Sequence, residues 1–77
     1  MRVTSFRELR TDDRNSVRSQ TRKYINNGES GEFPIPVDPS NPGGSIVVMT
    51  IRSNGSAVDQ RGHNVVKVSK QKNIKEA

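Results

Sequence analysis

All four prolines and four of the six glycines of this 77-residue chain fall between positions 28 and 45. Proline fixes φ and lacks an N–H, so this block excludes a helix and a central strand and divides the chain into an N-terminal and a C-terminal part. Within it Phe33, Ile35 and Val37 alternate with Pro34 and Pro36. That spacing predicts an extended strap, partly polyproline II, carrying apolar studs. A plain linker is the competing reading; Phe33 and Ile35 argue against it, because a solvated tether has no need of them.

Residues 1–27 read as a basic helix. Ser5 followed by Glu8 fits a capping box, in which the serine accepts from the third amide and the glutamate reaches back. Thr11 followed by Asp12 and Asp13 offers a second start, a capping hydroxyl with two carboxylates at the positive end of the helix dipole. Arg22 and Lys23 then occupy the last turn, and Asn27-Gly28 supplies a left-handed stop. At about 100° per residue, Arg7, Arg10, Arg14, Arg18 and Arg22 lie within an arc of about 120° of one such helix, beside Phe6, Val17 and Tyr24. Like charges four apart destabilise an isolated helix by about 0.2–0.5 kcal/mol each. A partner that neutralises the stripe removes that penalty. Guanidinium forks match phosphate oxygens and carboxylates alike, so these five arginines are the expected site for an anionic partner.

Residues 46–69 read as a β-meander. Ile46 to Arg52 is rich in β-branched residues, and Asn54-Gly55 is a strong hairpin signal for a two-residue type I′ turn. That turn pairs Arg52 with Ala57 and Ile51 with Val58. A second turn around Arg61, Gly62 and His63, if it has three residues, sets Val58 opposite Val66. One face then collects Val47, Met49, Ile51, Val58, Val66 and Val68. Little is available to cover it beyond Phe6, Leu9, Val17 and Tyr24 from the helix or Phe33 and Ile35 from the strap. Residues 70–77 form a basic tail.

The predicted fold is therefore small and α+β: basic helix 1–27, strap 28–45, three-stranded antiparallel meander 46–69, tail 70–77. Only seventeen residues are Leu, Ile, Val or Phe, and none is Cys, so neither a large private core nor a disulfide or thiolate metal site supports the chain. The expectation is a fold largely completed by a partner, with Phe33, Ile35, Val47, Met49, Ile51, Val58, Val66 and Val68 as its docking surface.

These features favour binding over catalysis. Asp59, His63 and Ser56 can be drawn as a triad, yet a three-stranded sheet offers neither a pocket nor an oxyanion site. Gly43-Gly44-Ser45 precedes a strand and lacks the lysine of a phosphate loop. Asn54-Gly55-Ser56 matches a glycosylation sequon by coincidence, since no secretory signal segment opens the sequence. The longest apolar run, Ile46 to Met49, is far too short to span a membrane. The expected function is a non-enzymatic structural accessory protein docking onto a large assembly, such as a minor capsid or cement protein of a virus or phage particle, cytoplasmic or virion-associated, with no cofactor, metal, membrane or small-molecule substrate. The alternative is a small basic nucleic-acid-binding regulator or packaging protein. A net charge of +5 and a pI near 10.3 support the attraction to polyanions. The low aromatic content weighs against base stacking, for which only Tyr24 is well placed.

Overall fold

The computed structural model describes residues 2–68, so the expected tail at 70–77 lies outside the described residues. Its centre is the β-branched run, which forms strand β3 (Ser45–Ile51). Strand β2 (Gly31–Pro36) pairs antiparallel along one edge of β3, from Gly31 opposite Ile51 to Pro36 opposite Ile46. The other edge is shared. Strand β1 (Arg2–Val3) runs parallel beside Ser45 and Ile46, and β4 (Ala57–Asp59) runs antiparallel beside Met49 to Ile51. Strand β5 (Asn64–Val66) pairs antiparallel with β4. Among the described residues there is one α-helix, α1 (Thr11–Asn26), so the fold is α+β, and the sheet is a mixed one of five strands rather than a three-stranded meander.

The strap is thus a strand, not polyproline II. Val37 donates its N–H to the Ser45 carbonyl at 2.9 Å, so alternate positions back along β2 (Ile35, Phe33, Gly31) turn their amides toward β3. Pro34 and Pro36 fall between them, where the missing N–H would face the open edge. The prolines cost no ladder hydrogen bond and blunt the edge against further pairing.

The Asn-Gly turn differs from expectation by one residue. Arg52 N–H donates to the Ser56 carbonyl at 2.8 Å and Gly55 N–H to the Arg52 carbonyl at 3.0 Å, which makes a three-residue loop of Ser53, Asn54 and Gly55. Only Gly55 has positive φ (87°), whereas a type I′ turn needs it at Asn54 as well. Asn54 Oδ1 instead accepts from the Ser56 amide and hydroxyl. The loop after β4 repeats this design: Asp59 N–H donates to the His63 carbonyl, Gly62 N–H donates to the Asp59 carbonyl, and Gly62 has φ of 84°. As a result Val58 lies opposite Thr50 and Asn64, on the sheet face away from Met49, and not opposite Ile51 or Val66. Val66 pairs with Ala57, and Val68 lies past the end of β5, half-exposed.

The expected single helix is also divided. Phe6–Glu8 is a 3-10 turn, and Ser5 N–H donates to Glu8 Oε1 at 3.4 Å, the glutamate arm of the predicted capping box. Leu9 and Arg10 are then extended, so Thr11 becomes the first residue of α1 and Arg10 occupies the cap position. Phe6, in the 3-10 turn, and Leu9, in the extended link, both reach the core. The stop is as predicted: Gly28, with φ of 78°, donates to the Ile25 carbonyl, and Glu29 donates to the Tyr24 carbonyl, a Schellman arrangement.

Helix α1 covers the sheet face that carries Ile35, Val47, Met49, Ile51, Ala57 and Val66. Val17 and Thr21 lie on its buried line, and Thr21 Oγ1 donates to the Val17 carbonyl at 2.8 Å, so this polar side chain is buried with its hydroxyl satisfied. Most of the expected docking residues are therefore core. Ile35, Val47, Met49 and Ile51 are at most 1% exposed, and Phe33 is half-buried against Tyr24. The chain covers this face itself.

Two glycines separate backbone strain from crowding. A Cβ on Gly62 or on Gly43 meets nothing within 4 Å, but only Gly62 has positive φ. In urea denaturation Gly62→Ala lowers stability by about 1–2 kcal/mol, while Gly43→Ala leaves it unchanged or raises it by up to about 1 kcal/mol.

Candidate anion-binding surface

Rotation of α1 about its buried line decides which charges are free. Arg14 and Arg18, one turn apart, emerge on the flank facing the 3-10 turn and β5. There they line a concavity of about 430 Å³ with Phe6, Arg7, His63 and Asn64. Arg14 Nη2 donates to the Arg7 carbonyl at 2.9 Å, and Arg18 Nε donates to the Val65 carbonyl at 3.3 Å. The Arg18 guanidinium also lies 5.1 Å from the centre of the Phe6 ring, within cation–π range. Each arginine is thus oriented by neutral acceptors or an aromatic face, with most of its five donors left over.

Of the five expected arginines, the fold brings three together. Arg7, Arg14 and Arg18 converge although Arg7 is not on the helix, Arg22 continues the flank one turn further on and is exposed, and Arg10 points away. Among the described residues Arg10 is the member of the set in an ion pair, with Asp13 at 3.4 Å. Among the described residues no carboxylate lines the concavity. The three guanidinium groups that line it have the charge to hold an anion.

His63 enters this site unannounced by the sequence, since it is 56 residues from Arg7. Its amide and that of Arg61 both donate to Asp59 Oδ1 at 3.0 Å, which fixes the loop. Arg7 Nη1 is 3.4 Å from His63 Nε2. Arginine can only donate, so Nε2 is the acceptor in this contact, and the other ring nitrogen, Nδ1, lies 3.7 Å from Asp59 Oδ1. The triad drawn from the sequence is not assembled around this pair: Ser56 Oγ donates to Asn54 Oδ1 at 2.7 Å and serves the β3–β4 turn.

The opposite flank of α1 holds a second concavity, of about 380 Å³, which sequence reasoning also missed. Ser16, Ser19, Lys23, Tyr24 and Asn27 line it from the helix, and Pro39 closes it from the loop after β2. Its signal was present as a polar series at helical spacing through 16, 20, 23 and 27. Tyr24 is braced from behind by Phe33, with ring centres 4.7 Å apart and planes at 28°. Gln20 Nε2 donates to the Pro36 carbonyl at 2.7 Å and ties the end of β2 to the helix. Pro39 is held by the turn in which Asp38 Oδ1 accepts from the Ser40 hydroxyl (2.7 Å) and amide (3.0 Å).

Those two bonds to Ser40, the hydroxyl foremost, lower the Asp38 pKa below its ordinary value. The turn is thus fully supported above the ordinary carboxylate range and loses that support as pH falls through the lowered folded value. In an NMR titration of the Asp38 carboxyl, Ser40→Ala raises the midpoint toward the ordinary value while the remaining carboxyl groups titrate as before. Among the described residues no helix is long and apolar enough to cross a membrane. No family model, curated protein or solved structure matches this chain, so its function is read from the chemistry of its own side chains.

Proposed function

We propose that this chain is a small non-enzymatic nucleic-acid-binding protein that grips a phosphate backbone along the basic flank of α1. The observation that carries the reading is the convergence of Arg7, Arg14 and Arg18 in one concavity without a carboxylate, continued by exposed Arg22. Guanidinium groups fork onto phosphate oxygens, and a chain of net charge +5 attracts a polyanion from a distance. The sheet then acts as internal scaffold, and neither a cofactor nor a metal is required.

Docking onto a larger protein assembly, in the cytoplasm or on a particle, is the second reading. The surface first expected for it is core, but the reverse face of the sheet carries Pro34 opposite Val48, and Val3, 52% exposed, beside Ile46. In this reading binding follows apolar area and is nearly independent of salt.

Arg7 and Arg22 are both exposed, and neither side chain holds another element of the backbone, unlike Arg14 and Arg18. Replacing each by Gln lowers affinity for a DNA or RNA oligonucleotide and shallows the slope of log K against log salt by about one unit for each phosphate no longer neutralised. Anisotropy titrations across a salt series measure this. An affinity indifferent to salt and to both substitutions contradicts the backbone reading and favours assembly docking.

A further inference from the structure

We propose that the bound strand is single and that it crosses the exposed side of α1, so that one unpaired base stacks on Tyr24 in the second concavity. This rests on the backbone-binding reading above and names its ligand class. At about 100° per residue, Arg18, Arg22, Ser19, Lys23, Asn27 and Tyr24 follow one another around the solvent side of the helix. They lead from the arginine concavity to the tyrosine one. Arg22 and Lys23 lie on this path, both exposed, one able to meet a phosphate on each side of the crossing. The carboxylates of α1, Asp12 and Asp13, are confined to its first turn, away from the path.

The tyrosine concavity has the chemistry of a base seat. An aromatic side chain braced by Phe33 gives a stiff stacking ledge, and hydroxyl and amide groups from Ser16, Ser19 and Asn27 surround it for polar base edges. Its volume of about 380 Å³ falls in the range of small-ligand pockets. Recess is what selects the strand. Tyr24 is half-buried between the helix and Pro39, and bases inside a duplex present only their edges, so a base reaches the ring only when unpaired. A protein with one such ledge gains modestly from stacking, and the arginines supply most of the affinity.

Tyr24 is the sole tyrosine and the chain has no tryptophan, so intrinsic emission reports this one site. An unlabelled oligothymidylate of about ten nucleotides quenches that emission on binding, whereas heparin, a polyanion without bases, binds without quenching. Tyr24→Leu lowers affinity for the oligothymidylate about tenfold and leaves heparin affinity unchanged; Tyr24→Phe, which keeps the ring, restores the loss. Circular dichroism checks that the variants fold, and the quenching test on the unsubstituted chain does not depend on them. Oligothymidylate binding without quenching, or equal affinity for a duplex of the same length, overturns the base-stacking proposal and leaves the backbone reading standing. Failure to bind either heparin or the oligonucleotide overturns the backbone reading and this proposal together.

Discussion

Strand β3 is paired on both edges, and every other element takes its position from it. Strand β2 fills one edge from Ile46 to Ile51, while β1 and β4 divide the other. Alternation along β3 then sends Val47, Met49 and Ile51 to one face, and the chain between β1 and β2 returns across that face as α1. Burial of Val17 and Thr21 sets the rotation of the helix. Once that is set, Arg14, Arg18 and Arg22 must emerge on one flank and Ser16, Lys23 and Asn27 on the other. Both candidate sites are consequences of how β3 is packed.

The arginines serve the fold and the surface together. Arg14 ties the 3-10 turn to α1 through the Arg7 carbonyl, and Arg18 ties β5 to it through Val65. Their positive charges are thereby held close to Arg7, an arrangement that repels itself in the free protein. In the backbone-binding proposal an anion in the concavity relieves the repulsion, and a bound polyanion would stabilise the folded chain by mass action.

Much of the fold was legible locally. Asn27-Gly28 located the helix stop and the β-branched run located β3, whereas the proline block read as a strap is edge strand β2 and the loop after it. What escaped depended on small local choices with wide consequences. The sequence Ser53-Asn54-Gly55 admits a two-residue or a three-residue turn, and the latter moved Val58 to the other face. Pro34 and Pro36 argue against a central strand but suit an edge whose hydrogen-bonding positions lie between them. The arginine stripe was drawn on one helix, and two extended residues, Leu9 and Arg10, broke it. His63 came to the site through tertiary structure alone. The shortage of large apolar residues suggested an incomplete core; β2 adds Ile35 to the sheet face, and α1 with Phe6 and Leu9 covers it.

The isolated chain covers one face of its own sheet, and the charged helix flanks stay on its surface. Native-state hydrogen exchange on the free protein tests it most directly. Amides of Phe33 and Ile35 in β2, Val47 and Met49 in β3, and Val17 and Thr21 in α1 are expected to be protected together and to exchange through one common opening. Protection confined to residues 46–66, with β2 and α1 exchanging freely, would contradict it and return the sheet face to a partner.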